Sequence, residues 1–224
     1  MQATLSTRHN KIEAVLCDMD NTLFDLVGAK REACRCVVDY LGTGDPETLF
    51  SQFLRGIHGF ENHANIRDYL EELGVYDPET FEVCCRTYED VKLDRVTAYP
   101  GVEETLRCLA VATDAESFQA RRRLEKTGLI DHFEVVVTPE ISGRRKPEPD
   151  SLLYALRQLD TAPAKAMMVG DSLVRDIAPG RQLGMVTAFA AYGDWRRSSV
   201  ADVLADIVLA EFAELPGHVG ILGR

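Results

Sequence analysis

Hydrophobic and polar positions follow two different periods along this chain. Ala14–Cys17 is a short apolar run with the composition of a buried strand. From Leu26 to Leu41 the apolar residues recur at helical spacing instead, and a glycine follows the last of them, which predicts a helix. Three further segments have the same helical character: Asp45–Arg55, Asn65–Leu73 and Asp77–Leu93. The first strand is therefore followed by a stretch that we predict to be entirely helical.

Beyond Pro100 the pattern alternates between short apolar runs and helical segments. The apolar runs predict further strands at Leu109–Ala112, Phe133–Val137, Ala166–Val169, Met185–Ala190 and, at the edge, Ile207–Leu209. Residues 138–150 are predicted to form a loop. Strands separated by helices are typical of a parallel sheet with helices on both faces. We therefore predict an α/β fold with a core domain (residues 1–24 and 97–224) and a small all-helical domain (residues 25–96).

The composition limits what the protein can be. With 224 residues, of which 46% are hydrophobic, the chain can bury one core and a small accessory one. No stretch is apolar enough to cross a membrane, and the polar start lacks a secretory signal, so we expect a cytoplasmic protein without membrane contact. The six cysteines form no CxxC pair, which argues against zinc. The net charge of −11 argues against nucleic acid as a partner and means that an anionic substrate needs local positive charge.

Two carboxylates follow the first predicted strand. Asp18 and Asp20 are separated by Met19 alone, so the period of two aims both side chains toward one side of the strand end. Their mutual repulsion requires a metal ion or positive dipoles nearby. An ordinary Asp- and Asn-rich turn is an alternative interpretation. A calcium loop is excluded, because Leu23 stands in place of the required glycine and Ala29 in place of the final glutamate.

Further polar groups follow three other predicted strands. The complete set comprises Asp18 and Asp20, Thr113 and Asp114, Lys146, and Asp171. Each of these alone is common, because such residues are frequent in loops and turns. Ligands of parallel α/β sheets bind beyond the carboxyl ends of the strands, so the groups are predicted to converge on one crevice.

Four segments in this order resemble the motifs of the haloacid dehalogenase (HAD) superfamily of phosphohydrolases. They are DMDNT at 18–22, Thr113 in AVATD, Lys146 in RRKPEPD and GDSLVRD at 170–176. The helical stretch after the first segment resembles the cap of subfamily I, and the chain resembles the phosphatase branch with phosphoglycolate phosphatase-like proteins. The resemblance implies a Rossmann-like core, a mobile helical cap domain and dependence on Mg2+.

The resemblance also implies a role for each motif residue. Asp18 would be the nucleophile that takes the phosphoryl group as an acyl phosphate, and Asp20 the general acid and base. The metal would be held by the Asp18 carboxylate, the backbone carbonyl of Asp20 and the Asp171 side chain. Lys146 and Thr113 would bind the phosphoryl group of the substrate. The implied activity is Mg2+-dependent hydrolysis of a small phosphorylated metabolite, a phosphomonoester.

Two positions depart from the family pattern. Asn21 stands where many members have glycine, which is tolerable because asparagine accepts unusual backbone angles in turns. Between Pro100 and Thr113 only twelve residues must supply both a helix and a strand, and no turn residue separates Val102–Cys108 from Leu109. Either this helix is truncated or part of the usual connection is missing.

Other residues in and around these segments are given supporting roles. Asp176 is expected to order a metal-bound water or the motif lysine, and Asp114 to join it outside the residues that touch the phosphoryl group. In the helical domain the loop at 56–63 is the expected specificity loop. Arg55 or His58 would there contact a second anionic group of the substrate.

Three other functions stay open on the sequence. A phosphomutase would pass the same acyl phosphate back to a sugar instead of to water. A 2-haloacid dehalogenase is disfavoured, because that branch lacks an aspartate at the position of Asp20 and works without the metal. A non-catalytic binding protein on the same fold is disfavoured because all four motifs are filled.

Overall fold

The structure consists of two compact units. The computed structural model describes residues 12–105, 109–196 and 204–219. One unit, the helical unit, comprises Asp25–Thr97, and its second boundary lies one residue beyond the predicted one. The other, the core unit, contains the described residues before Asp25 and after Thr97.

A parallel sheet forms the centre of the core unit. Its strands among the described residues are β1 (Ala14–Cys17), β2 (Leu109–Ala112), β3 (Phe133–Val137), β4 (Ala166–Gly170), β5 (Val186–Ala190) and β6 (Ile207–Leu209). All neighbours are parallel, in the order β3-β2-β1-β4-β5-β6. This is the strand order of the Rossmann fold. The predicted Rossmann-like α/β fold is therefore confirmed.

The strand order reverses at β1, which pairs with β2 on one side and with β4 on the other. The register aligns Cys17 with Val169. The backbone amide of Asp18 donates a hydrogen bond to the carbonyl of Val169 over 2.8 Å. The chain therefore leaves both strands at the same edge of the sheet, with Asp18 after one and Asp171 after the other. Such a reversal is the usual ligand site of an open α/β sheet.

The helical unit contains α1 (Leu26–Leu41), α2 (Pro46–Leu54), α3 (Ala64–Glu72) and α4 (Pro78–Arg95). These bounds differ from the predicted ones by at most two residues. Asp25, Asp45 and Asp77 cap the N-termini of α1, α2 and α4 with their side chains. Proline then occupies the first turn of α2 and of α4, where its missing amide hydrogen costs no helical hydrogen bond.

A buried lysine fixes the loop between α2 and α3. Lys30 of α1 is fully buried and donates a hydrogen bond to the backbone carbonyl of Phe60. Its Nζ lies 3.5 Å from the ring centroid of Phe60 and 4.6 Å from that of Phe53. The faces of these rings attract the cation and offset part of its lost hydration. The side-chain amide of Asn65 adds a 2.9 Å hydrogen bond to the carbonyl of Gly59, so the loop is held from two helices.

Short helices lie between the strands of the core unit, and the last of them follows β6. They are α5 (Val102–Thr105), α6 (Ser117–Lys126), α7 (Pro139–Ser142), α8 (Asp150–Gln158), α9 (Ala178–Gln182) and α10 (Leu215–Val219). The prediction of an uninterrupted loop at 138–150 was wrong, because Pro139 starts α7 and the left-handed Gly143 ends it. The predicted junction of helix and strand at 106–108 lies outside the described residues. Within those that are described, no helix has both the length and the apolar composition of a membrane span.

Helix α8 packs on the central strands. Leu152 and Ala155 of this helix share a buried apolar cluster with Leu16 of β1 and Met168 of β4. Burying one leucine side chain stabilises a folded protein by about 1.5–3 kcal/mol. The cluster therefore holds the two strands together just before the residues that carry the candidate chemistry.

Candidate active site

The chain turns sharply at the end of β1, directly after a buried aspartate. Asp18 exposes 3% of its surface. Asn21 takes a left-handed conformation with φ of 62°, which asparagine tolerates better than most residues. The backbone amide of Leu23 donates to the carbonyl of Met19 over 2.9 Å and closes the turn. Asn21 thus adopts the left-handed conformation of this turn, at the position where the family pattern has glycine in many members.

Lys146 links the first aspartate to the loop after β4. Its Nζ lies 2.5 Å from Oδ1 of Asp18 and 2.6 Å from Oδ1 of Asp176. Burial alone would lower the pKa of Lys146, but the carboxylates of Asp176 and Asp18 outweigh it and raise that pKa above its usual value. The ammonium group therefore stays charged beside Asp18.

Asp176 holds this lysine from a π-helical turn, Leu173–Ile177. Its Oδ2 accepts a 3.0 Å hydrogen bond from the backbone amide of Ser172. Burial raises the pKa of Asp176 to about 6, against the opposing effect of Lys146. Of the two roles expected for Asp176, the structure places it in the second, beside the lysine side chain.

Asp171 carries an oxygen atom that is buried without a hydrogen bond. Within the described part of the chain, its Oδ1 has no hydrogen-bond partner. Burial, together with the carboxylates of Asp18 and Asp176, raises the pKa of Asp171 well above its usual range. A buried carboxylate with an unsatisfied oxygen is costly unless a cation compensates it.

The three carboxylates form a cluster that fits a divalent cation. One oxygen from each of Asp18, Asp171 and Asp176 lies within 4.8 Å of the others. An all-oxygen donor set suits Mg2+ better than zinc or copper. Asp176 is already engaged by Lys146 and a backbone amide, so Asp18 and Asp171 are the carboxylates better placed as ligands. The backbone carbonyl of Asp20, the third predicted ligand, belongs to the same turn.

Hydrogen bonds of the Thr22 and Tyr192 side chains connect the ends of the strands around these aspartates. The backbone amide of Asp171 donates to Oγ1 of Thr22 over 3.1 Å. The hydroxyl of Tyr192, after β5, donates to the carbonyl of Thr22 over 2.7 Å. At the next residue, a β-carbon added to Gly193 would lie 1.7 Å from the carbonyl oxygen of Asn21. Only glycine therefore fits there without a shift of the turn.

Thr113 and Asp114 follow β2, the strand next to β1. Oγ1 of Thr113 accepts a 3.1 Å hydrogen bond from the backbone amide of Ala115, and the residue is buried. Asp114 accepts from the backbone amide of Lys146 over 2.9 Å. Its other oxygen lies 3.2 Å from Nη1 of Arg175. The supporting role expected for Asp114 thus corresponds to contacts with two loops of the site.

Arg175 is a cation that the sequence pattern did not single out. It contacts Asp114, and its Nη2 lies 3.9 Å from Oδ1 of Asp171. The residue lies inside the segment GDSLVRD, but an arginine beside a motif aspartate carries no pattern of its own. Its position adds a second fixed positive charge, after that of Lys146, to this group of carboxylates. A chain with a net charge of −11 needs such local positive charge in order to bind an anion.

Arg123 is a second functional candidate that the sequence pattern did not identify. Nη1 of this arginine lies 3.0 Å from Oδ1 and 2.9 Å from Oδ2 of Asp20. The Arg123 side chain is 1% exposed, whereas that of Asp20 is 18% exposed. Arg123 lies on the same face of α6 as the buried residues Ala120 and Leu124. The helical period of three and four residues was the available signal that this arginine points inward.

The two residues expected to bind a second anion in the helical unit have partners within that unit. Nη2 of Arg55 lies 2.5 Å from Oδ2 of Asp68, and Nε2 of His58 lies 3.0 Å from the same oxygen. Arg55 also lies 3.4 Å from a carboxylate oxygen of Glu72. A substrate anion at either residue would therefore compete with Asp68.

Comparison with known proteins identifies relatives along most of the chain. The family model of the haloacid dehalogenase-like hydrolases matches residues 15–190. A glyceraldehyde 3-phosphate phosphatase of Methanocaldococcus jannaschii is 27% identical over 201 residues, covering 83% of this chain and 87% of the relative. A phosphoglycolate phosphatase of Chromobacterium violaceum is 29% identical over 220 residues, covering 91% of this chain and 95% of the relative.

A solved structure shares the fold. The HAD-hydrolase YfnB of Bacillus subtilis, whose crystal structure was determined bound to magnesium, matches with a TM-score of 0.72 at 18% identity. The match covers 95% of this chain and 100% of the YfnB chain.

Proposed function

The chain belongs to the haloacid dehalogenase-like hydrolases and is a phosphatase of that family. We propose that it uses Asp18 as its nucleophile and Mg2+ as its cofactor. The observation that supports this most directly is the cluster around Asp18. That buried carboxylate contacts a fixed cation, Lys146. It lies beside a second carboxylate, Asp171, whose Oδ1 accepts no hydrogen bond from the described residues.

The first step transfers the phosphoryl group to the protein. A carboxylate oxygen of Asp18 attacks phosphorus and forms an O–P bond, while the bond from phosphorus to the ester oxygen breaks. Asp20, as the acid, gives a proton to the departing oxygen, so that a neutral alcohol leaves. A carboxylate nucleophile needs no separate base to activate it.

The second step releases phosphate. Asp20, now ionised, accepts a proton from a water molecule whose oxygen attacks phosphorus. The O–P bond to Asp18 breaks, and its carboxylate returns to the initial state together with free phosphate. Asp20 regains its proton in this step, so the cycle closes without a further acid or base.

Like-charge repulsion is the main obstacle to the first step. A carboxylate and a phosphate oxygen repel each other by about 1 kcal/mol per unit pair at 4 Å in water, and by more in a drier site. Lys146 lies against Asp18 and offsets this repulsion with a charge that is already in place. Thr113 and neighbouring backbone amides donate hydrogen bonds to the phosphoryl oxygens.

Asp18, Asp171 and the backbone carbonyl of Asp20 would hold Mg2+. Bound there, the ion supplies charge neutralisation and Lewis-acid stabilisation of the phosphoryl oxygens. The fit is supported by the unsatisfied Oδ1 of Asp171 and by the raised pKa of that carboxyl, since both are compensated by a cation.

The substrate belongs to the small acyclic phosphate esters. The two relatives described above are phosphatases named for such compounds, glyceraldehyde 3-phosphate and phosphoglycolate. We place the natural substrate of this chain in the same class, as a small phosphorylated metabolite rather than a nucleic acid or a protein.

The test is release of inorganic phosphate from a panel of phosphomonoesters, with and without Mg2+. The panel contains phosphoglycolate, glyceraldehyde 3-phosphate, a sugar phosphate and a nucleotide. We compare the parent protein with Asp18→Asn and with Asp131→Asn, an exposed aspartate away from the site. Metal-dependent release that is lost only in Asp18→Asn is expected.

Two other outcomes would contradict the proposal. Conversion of a sugar phosphate to its isomer without release of phosphate would identify a phosphomutase. No turnover of any ester by the parent protein, in the presence of Mg2+, would leave a non-catalytic protein on the same fold.

A further inference from the structure

Asp20 and Arg123 form an ion pair in which the arginine has no part in the steps described above. One guanidinium nitrogen, Nη1, reaches both carboxylate oxygens, at 3.0 and 2.9 Å. A guanidinium group keeps its charge at every pH at which proteins are folded. The pair joins the turn after β1 to helix α6, which are far apart in the sequence but adjacent in the core unit.

The two partners differ in how firmly they are held. The side chain of Asp20 is 18% exposed, whereas that of Arg123 is 1% exposed. Arg123 lies on the buried face of α6, next to Leu124, and its backbone carbonyl accepts a 2.8 Å hydrogen bond from the hydroxyl of Thr127. The arginine is therefore held by its packing, and it contacts both carboxylate oxygens of the more exposed aspartate.

Neighbouring negative charges disfavour an inward orientation of the Asp20 side chain. It lies two residues after Asp18, at the strand end where Asp171 and Asp176 bring further carboxylates together. Repulsion from these groups favours a side-chain orientation toward solvent. Proton transfer requires the acid to lie within hydrogen-bond distance of the reacting oxygen, and a misplacement of about 1 Å can lower a rate by about 100-fold.

We propose that Arg123 is a positioning residue, which holds the Asp20 carboxyl group in the orientation needed to give a proton to the leaving group. The proposal rests on the proposed phosphatase function, in which Asp20 is the acid. A carboxylate offers about four lone-pair directions, and each of the two hydrogen bonds from Nη1 of Arg123 occupies one of them.

The expected signature is a dependence on the leaving group. A small alkyl phosphate needs a proton on its departing oxygen, whereas p-nitrophenyl phosphate releases a stable anion and does not. Loss of a positioned acid therefore slows the alkyl ester selectively. The quantity to compare is kcat/KM, because it includes only the steps up to departure of the alcohol.

The experiment measures kcat/KM for both esters in the Arg123→Met protein, which keeps an unbranched apolar stem and removes the guanidinium group with its charge. We expect a fall of about 30-fold or more for the alkyl ester and of no more than about threefold for the aryl ester. Arg121→Met is the matched control, since Arg121 lies on the same helix, is exposed and pairs with Glu125 one turn further along that helix. It should leave both values unchanged.

A double-mutant cycle tests whether Arg123 acts through Asp20. In the Asp20→Asn background, Arg123→Met should cause no further loss with the alkyl ester, because the group that it positions is already gone. Arg123→Lys keeps a charge of shorter reach and should restore part of the activity toward the alkyl ester. If Arg123→Met does not fold, Arg123→Lys carries the same comparison, with a smaller but still selective loss.

Equal losses for both esters, or losses that multiply in the cycle, would overturn the positioning role and leave Arg123 as a structural residue. These outcomes differ from failure of the proposed function itself. In that case the parent protein would hydrolyse neither ester.

Discussion

A β-carbon added to Gly170 would lie 2.4 Å from the carboxyl carbon of Asp176. Real side chains do not approach so closely, so the last residue of β4 must lack a side chain for Asp176 to reach Lys146. The same contact explains why the glycine stands directly before Asp171. Glycine is required at position 170 because a side chain would collide with Asp176, and not because the backbone adopts an unusual angle there.

Gly170→Ala should therefore damage the site as well as the fold. The added methyl group must displace Asp176, which costs about 1–3 kcal/mol in a packed interior. Phosphate release should fall at least about 10-fold, because Lys146 loses one of the two carboxylates that orient it. Urea unfolding and phosphate release measure the two effects.

Gly217→Ala is the control for this change, since its β-carbon would have no neighbour within 4 Å among the residues that the structure describes. It lies in α10, where alanine is favoured over glycine, so this change should raise the free energy of unfolding by at most about 1 kcal/mol. A Gly170→Ala protein as active and as stable as Gly217→Ala would show that Asp176 is not held as the structure has it.

Lys146→Met should cost more stability than the loss of an exposed lysine. Removing the ammonium group leaves Asp18 and Asp176 buried without their cation, and breaking a buried ion pair costs about 3–5 kcal/mol. Lys165→Met is the comparison, because Lys165 is about half exposed in its pair with Glu13 and such pairs contribute at most about 1 kcal/mol. Urea unfolding of both variants measures the difference.

Phosphatase activity should also differ between Lys146→Met and Lys165→Met. Phosphate release should be lost in Lys146→Met and retained in Lys165→Met, since only Lys146 offsets the repulsion between Asp18 and the substrate phosphate. An active Lys146→Met protein would remove the lysine from the proposed mechanism.

How much of the site could be predicted depends on whether a residue ends a strand. Asp18, Thr113 and Asp171 follow apolar runs that are readable in the sequence, and a parallel sheet brings the ends of its strands to one edge. Lys146 was found through the segment around it. For these residues the local pattern and the topology together determine the location.

Arg123 and Arg175 show where that reasoning stops. Both are long cations in segments with many charges, and most such side chains are exposed. Their contacts to Asp20 and Asp114 depend on how a helix or a π-helical turn packs against another strand end, which a single sequence does not encode as a local pattern. The inward face of α6 was the only available sign for Arg123.

Stability should depend on pH through Glu89 in the helical unit. Its carboxylate lies 2.8 Å from Nε2 of His63 and 2.7 Å from Nζ of Lys92. Burial opposes ionisation, but these partners lower the pKa of Glu89 from 4.5 to about 2. Because the folded-state pKa is the lower one, ionised Glu89 stabilises the fold above about pH 4.5, and the contribution is lost as the pH falls toward about 2.

Glu89→Gln measures this contribution. With allowance for partial exposure, it should lower the free energy of unfolding by about 2 kcal/mol near neutral pH. At about pH 3 the difference from the parent should be half of that or less. Glu82→Gln, at an exposed helical pair with Arg86, should show a small difference at both pH values. A difference for Glu89→Gln that grows on acidification would contradict the direction of the shift.

Mg2+ should stabilise the folded chain through Asp171. An ion that binds only the folded state adds about 2.7 kcal/mol at a concentration 100 times its Kd, which raises Tm by several degrees in a chain of this size. Asp171→Asn removes one ligand of the ion. It also removes a buried negative charge that destabilises the fold when no cation is bound. It should therefore have a Tm at or above that of the parent without Mg2+, since an amide at this buried position needs no cation.

The addition of Mg2+ separates the variants most clearly. Tm should rise in the parent and in Asp131→Asn, whose exposed carboxylate lies away from the site, but not in Asp171→Asn. The measurement needs no substrate, so it tests the cation site independently of catalysis. An equal rise in all three proteins would place the binding of Mg2+ elsewhere, and the buried Oδ1 of Asp171 would then lack the compensation that its surroundings require.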